Sequence, residues 1–455
     1  MLPVQKLTLC LALFFCQMVL PVMAQKKDNV FISGTLKNFD NQVEIEDQSE
    51  MEYMNGPAPD RMFFLDSFNR FSIGFHLDEP GYFRLGRNQL YLSPGDKLDI
   101  FIDYNDPWIA TFKGTGSEKQ EYLMNTPFPH GGSFLESGRK IKPDVRETIK
   151  NLAIYADQRQ AALDKVSNEY SAFKKLEKAR VQIDFLNSLL MLPRYRQWKL
   201  KDKPDSLELF NKDYELFAKP LIKEYAQKAG LDHKYLQLPV YRNVLYDLYE
   251  HFPNPPKQEY DIITEWDRTN TLTYAIIYAD NKKDLDTMQR HINKIKTRKY
   301  KTAAANALSR AMKFSNGDMA IDFVMRDLNN KNVPLSTYKG KLIYIDLWAT
   351  WCGPCLAEMP YLDTLKEKYK NNSNIVFLSL SIDNDEARDR WLKKVNERKD
   401  RSNQFIINRI KLDPYTVISI PRTIIINKEF RVVAMYGDLP SSRNTVKTID
   451  ELLLK

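Results

Sequence analysis

Two residues of this 455-residue chain stand out for chemistry: Cys352 and Cys355, in the stretch "DLWATWCGPCLAEMP". The other two cysteines, Cys10 and Cys16, lie at the N-terminus. A C-x-x-C pair can exchange disulfides, supply half of a zinc site, or sit inert in a core. Tetrahedral zinc needs four ligands, and all five histidines (His76, His130, His233, His251 and His291) fall in earlier segments. A disulfide scaffold would need more cysteines at wider spacing. Thiol–disulfide exchange is therefore the expected chemistry, with no metal and no cofactor beyond the pair itself.

The neighbouring sequence supplies a reason for reactivity. "CGPCLAEMPYLDTLKEKYKN" reads as an amphipathic helix starting at Cys352, with Pro354 tolerated in its first turn. A helix N-terminus offers unpaired N–H groups and the positive end of the dipole. A thiolate there is stabilised, which lowers a cysteine pKa from roughly 8.5 toward neutrality. Cys355 follows one turn later on the same side. It is placed to attack a mixed disulfide formed at Cys352.

The helix needs a sheet behind it, and the surrounding residues provide one. Over residues 317–455, apolar strands ("LIYIDLWA", "IVFLSLSID", "RTIIIN", "RVVAMYG") alternate with helical stretches ("DEARDRWLKKVNER", "RNTVKTIDELLLK"). That order predicts an α/β domain with a central sheet and helices on both faces. Residues 25–115 read as short alternating strands separated by turns such as Pro80-Gly81 and Pro94-Gly95-Asp96, which predicts a small β-sandwich. Residues 116–316 read as mostly helical. One continuous stripe is expected from Pro143, in the first turn, through Val145, Ile149, Leu152, Leu163 and Tyr170 to Phe173. Neither region shows a nucleophile, metal cluster or phosphate loop, so binding or docking is the expected role.

The first 24 residues carry Lys6, an apolar run from Leu7 to Val22, and Ala24 at a small-residue cleavage site. They read as a secretory signal peptide. The rival is a retained anchor, which Gln17 and Pro21 argue against. Lipid attachment at Cys16 is disfavoured by Phe14 and Phe15 before it. Cleavage would remove Cys10 and Cys16 and leave one C-x-x-C pair for an oxidising compartment. The 67 basic and 59 acidic residues are spread along the chain, without a basic block interleaved with aromatics. That composition excludes nucleic acid as the expected partner.

"WATWCGPC" resembles the active-site stretch of the thioredoxin superfamily. The longer pattern, from "FVMRDLNNKNVPLSTYKGKLIYIDLWATWCGPCLAEMP" through "YTVISIPRTIIINKEFRVV", resembles its exported TlpA/ResA-like branch. The resemblance implies a thioredoxin fold for about the last 135 residues. It implies Cys352 as the exposed nucleophile, Cys355 as the buried resolving thiol, and a redox-active disulfide between them. It further implies Trp351 beside the site and Pro421, after Ile420, as a cis-proline facing the disulfide and binding substrate backbone. Asp346 matches the buried acid of thioredoxins proper, where burial should raise its pKa and let it take the Cys355 proton. Glu358 matches an acid found near the pair in this branch. Arg422 departs from the thioredoxin pattern, in which threonine follows the proline directly. It is expected either to select anionic partners at the groove or to lie on a solvated rim.

The expected function is a periplasmic thiol–disulfide oxidoreductase, working as a reductant on disulfide-bearing proteins. A membrane reductase would recharge it, and membrane contact would arise only through a retained signal. Two alternatives stay open. One is an envelope binding protein that uses the thioredoxin domain as a scaffold, and the other is a disulfide oxidase or isomerase. A peroxidase is disfavoured, because it needs Thr-x-x-Cys and Thr350 lies only two residues before Cys352.

Overall fold

The computed structural model describes residues 27–39, 42–52, 54–55, 58–200, 204–279, 282–383, 387–398, 400–417 and 419–454. The expected signal peptide, with Cys10 and Cys16, lies outside the described residues. Among them, no helix is long and apolar enough to cross a membrane.

In the N-terminal region, period-2 patterning yields strands. Val30, Ile32 and Leu36 of the strand Val30–Lys37 are buried, as are Leu98, Ile100 and Ile102 of Lys97–Asp103. These two strands run parallel at the centre of a four-stranded sheet, flanked by Arg70–Phe75 and Thr111–Thr115. A second sheet joins Glu46–Asp47, Gly81–Leu85 and Asn88–Leu92, and Gln42–Glu44 pairs with Met62–Phe64. Ile32 and Ile100 share one core with Phe83 and Leu90, so the sheets enclose a sandwich-like interior. Gly34 is required at the centre. Its φ is +146°, and a Cβ would sit 1.8 Å from the carbonyl oxygen of Ile100.

The middle region is helical, with a long helix, Ser171–Leu200, at its core. The expected continuous stripe from 143 to 173 is broken. A helix covers Val145–Asp164, and a short 3-10 turn, Asn168–Tyr170, separates it from the long helix. Ser167 accepts from the Glu169 N–H and so offers the backbone an alternative to continuing the helix. Pro143 lies just outside the first turn, because Asp144 is the N-cap and accepts from the Arg146 and Glu147 N–H groups.

Buried charge joins the sandwich to the long helix. Glu177, Arg180 and Asp184 lie on one face of that helix and Arg159 reaches them from the preceding one. From the sandwich, Tyr82 donates to Glu177 at 2.6 Å, and Arg180 donates to Gln89 at 2.6 Å. A second junction is the hydrogen bond from Trp266 Nε1 to the Glu50 carbonyl.

The C-terminal region has a seven-stranded mixed sheet. Its order is Asn332–Pro334, Val324–Arg326, Gln404–Ile406, Ile375–Ser381, Leu342–Trp348, Arg422–Ile426, Val432–Gly437. The strand Leu342–Trp348 is central and wholly buried, parallel to Ile375–Ser381 and antiparallel to Arg422–Ile426. Helices Gly353–Tyr369 and Thr445–Leu453 cover one face through Leu362, Leu365 and Ile449. The opposite face, presenting Ile343, Ile345 and Leu347, is covered by Phe323, Leu335 and the short 3-10 helix Arg409–Tyr415. Tyr278 of the helical region packs tilted against Tyr436 with ring centres 4.0 Å apart, and Lys282 pairs with Asp318 at 2.9 Å, tying this domain to the rest.

Candidate active site

Cys352 and Cys355 form a disulfide at the start of the helix Gly353–Tyr369. The helix begins one residue later than the sequence suggests. Cys352 is its N-cap, with an extended backbone, and the Cys355 N–H donates to its Sγ at 3.2 Å. An N–H aimed at this sulfur would hold a thiolate as well, together with the helix dipole. The residue types dictate this start: Pro354 sits in the first turn, where no N–H is missed.

The expected exposed nucleophile needs correction. Cys352 is 5% exposed and Cys355 2%. Trp348, Met359 and Trp391 pack around both, with Ile420 against them. The exposed group is Trp351, at 63%. The Ile420–Pro421 peptide bond is cis, as the resemblance implied.

Asp346 lies in the central strand, 2% exposed, opposite Ser379 and Thr423 in the sheet register. Burial pushes its pKa up to about 7. The positive charges of Arg398 and Lys366 pull the other way, and the negative charge of Glu358 adds to the rise. Such a carboxylate can exchange a proton near neutral pH. Arg398 and Lys366 escaped the sequence reading because they are distant in sequence and their own hydrogen bonds go elsewhere. Arg398 donates to Asp363 and Ser379, and Lys366 pairs with Asp400.

Glu358 accepts from the N–H and hydroxyl of Ser441 at 2.9 and 2.8 Å. It ties the cysteine helix to the segment before the last helix and acts on Asp346 through its field.

Arg422 neither lines a groove nor sits on a rim. It is 3% exposed and donates to the carbonyls of Met435, Thr416 and Tyr415, with its guanidinium stacked 3.8 Å from the Tyr436 ring centre. A planar fork of donors satisfies two buried acceptors that threonine could not reach, and a third, half-buried one that it shares with the Tyr436 hydroxyl.

A further residue was missed. Asp383, 1% exposed, accepts from the Thr350 N–H at 2.7 Å, the Thr350 hydroxyl at 2.8 Å and the Ser381 hydroxyl at 2.7 Å. It clamps the turn that delivers Trp351 and Cys352. The only signal in the sequence is an acid following the apolar run "IVFLSLSI".

Asp232, His233 and Glu259 also come together. Glu259 accepts from both the backbone N–H and Nδ1 of His233, at 2.7 and 2.8 Å, which accounts for the cluster as a loop tether.

At Trp351 opens a cleft of about 1640 Å³, walled by all three regions. Trp351 and Arg409 line it from the thioredoxin-like domain, Arg87 and Trp108 from the sandwich, and Phe128 and Tyr246 from the mostly helical region.

The Redoxin family model matches residues 315–453. The thiol-disulfide oxidoreductase ResA of Bacillus cereus is 32% identical over 127 residues, which is 28% of this chain and 71% of the relative. The chain belongs to the ResA-like thiol–disulfide oxidoreductases of the thioredoxin superfamily. ResA of Bacillus subtilis is 31% identical over 123 residues, or 26% of this chain and 65% of the relative. The chain thus spans about two thirds of the length of the curated relatives it matches. A candidate thiol-disulfide oxidoreductase of Bacteroides vulgatus, of known structure, is 40% identical and covers 31% of this chain and 98% of its own, with a TM-score of 0.29. The Redoxin match and the ResA relatives make the protein an oxidoreductase built on a thioredoxin-like domain.

Proposed function

We propose that this ResA-like protein is an exported disulfide reductase, acting through Cys352 and Cys355 on disulfide-bearing proteins. The observation that carries the reading is the cysteine pair at a helix N-terminus, in a domain whose central strand holds an acid that titrates near pH 7.

In the reduced protein, the Cys352 thiolate attacks one sulfur of the substrate disulfide. A Cys352–substrate bond forms, the substrate S–S bond breaks, and the other substrate sulfur leaves as a thiolate. Asp346 takes the proton of Cys355, whose thiolate then attacks Cys352 Sγ. The mixed disulfide breaks, the second substrate thiolate leaves, and protons return to the substrate sulfurs. Two electrons pass from the protein dithiol to the substrate, and the Cys352–Cys355 disulfide remains. A dithiol donor, expected to be a membrane reductase, must restore the pair.

Export is supported by residues 1–24, which read as a signal peptide. The reducing direction is supported by Gly353-Pro354 between the cysteines, as in reducing thioredoxins with potentials of about −270 mV. Equilibration of the pair with glutathione should give a potential below about −230 mV, and Cys352→Ser should abolish turnover. A potential above about −200 mV would turn the reading toward an oxidant, and full turnover in Cys352→Ser would end it.

A further inference from the structure

The cleft at Trp351 takes no part in the steps above, yet its composition is that of a binding site. Its volume, about 1640 Å³, exceeds the roughly 300–1,000 Å³ of small-molecule sites. Four aromatic side chains on its walls are largely exposed: Trp108 at 61%, Phe128 at 66%, Tyr246 at 68% and Trp351 at 63%. They come from all three regions. Exposed aromatics converging on a concave surface are the usual anchors of polypeptide recognition. One of them adjoins the reactive cysteine in sequence.

Charge narrows the occupant. Eight Lys or Arg line the cleft against four Asp or Glu, but Arg159 and Arg180 are offset by Glu177 and Asp184 behind the wall, which leaves six against four. Arg84 and Arg242 are matched by Glu46 and Glu52. Arg87 and Arg409, both exposed, instead donate to carbonyls: Arg87 to Tyr104 and Asn105, Arg409 to Val417. They stand on opposite sides of the junction, one on the sandwich and one on the thioredoxin-like domain. A chain crossing the cleft meets a modest excess of positive charge, with Arg87 and Arg409 its exposed carriers and Glu44 and Asp413 near the latter.

We propose that the cleft binds an extended, acidic polypeptide segment of the substrate and presents its disulfide to Cys352. The inference rests on the oxidoreductase reading. The chemistry is unchanged: two electrons pass from the Cys352/Cys355 dithiol to the peptide disulfide, which leaves as two thiols. The accessory regions supply affinity and selection, and the cysteines supply reactivity.

The test uses the full chain, reduced with dithiothreitol and desalted, in single turnover. Three probes are compared: hydroxyethyl disulfide, a disulfide-bearing peptide flanked by glutamates and leucines, and the same peptide with lysines for glutamates. Wild type should reduce the acidic peptide about tenfold faster than the basic one at low salt. The double variant Trp108→Ala/Tyr246→Ala should lose about tenfold on the acidic peptide. Arg87→Glu/Arg409→Glu should reverse the peptide preference. Hydroxyethyl disulfide should react alike in all three proteins, which also reports an intact site. Equal peptide rates in wild type and variants would overturn the cleft proposal while leaving the enzyme reading intact. A parallel fall with hydroxyethyl disulfide would also overturn it, by assigning these residues a structural role. Inertness of wild type toward all three probes would take down both readings.

Discussion

Asp346 is the residue on which the chemistry and the stability of the domain pull in opposite directions. Its carboxyl titrates at about 7 in the fold and at roughly 4 in an unfolded chain. Between those values the folded state holds more protons than the unfolded one, so stability falls as pH rises from 4 to 7. Asp346→Asn should therefore be more stable than wild type at pH 8, by about 2–4 kcal/mol, with the gain vanishing toward pH 4. Thermal unfolding of the disulfide form at several pH values checks this. The same variant should resolve mixed disulfides about a hundredfold more slowly, and its rate should lack the wild-type rise through pH 7. Stopped-flow release of substrate thiol reads that step. The acid was legible in the sequence because a charge between Ile345 and Leu347 breaks a fully apolar strand. The cations that moderate it were not. They approach through tertiary packing, and nothing in their local sequence marks them.

Among the elements, the strand Arg422–Ile426 shows how a neighbour can reassign a residue. Position 422 adjoins the cis-proline, so its side chain was expected to face substrate or solvent. The strand instead runs beside Val432–Gly437, and the guanidinium turns inward to three carbonyls and the Tyr436 ring. Arg422→Ala should destabilise the domain by on the order of 3–5 kcal/mol, since it leaves buried acceptors unpaired. Arg422→Lys should recover only part of that, because an ammonium cannot reproduce the fork. Urea unfolding of both variants decides it, and a loss below about 1 kcal/mol in Arg422→Ala would contradict the account. The alternation of strands and helices after residue 317 was legible because the hydrophobic period switches clearly between them. The break at 165–170 was not, because Leu163, Val166, Tyr170 and Phe173 keep a helical spacing across it while Ser167 redirects the backbone.

For the whole molecule, the joint between the sandwich and the long helix matters most. Glu177, Arg180, Asp184 and Arg159 lie where the two regions meet, and Tyr82 and Gln89 bond across. Burial pushes the Asp184 carboxyl up to about 6, against the pull of Arg180. Arg180→Met would leave Glu177 and Asp184 short of a cation and should cost about 3–5 kcal/mol. Limited proteolysis should then cut near residues 116–145 faster than in wild type, while the Cys352–Cys355 potential stays unchanged. Little of this joint was legible, because the charges alternate with apolar residues in "FKKLEKARVQIDFLNSLL" and read as the solvated side of a helix. The cleft was equally hidden. It exists only where three separately readable regions meet.

The parallel pairing of Val30–Lys37 with Lys97–Asp103 also sets an order of events. The first strand of the sandwich finds its inner neighbour only after some sixty intervening residues have been made. Local hairpins cannot complete that sheet, so closing it carries a loop-closure cost that must be met before the core consolidates. Once residue 115 has emerged, every strand of both sheets is available, while Cys352 is still more than two hundred residues away in synthesis. Domains tend to fold N-terminal first as the chain grows. The accessory wall of the cleft is thus positioned to form before the reactive thiols appear.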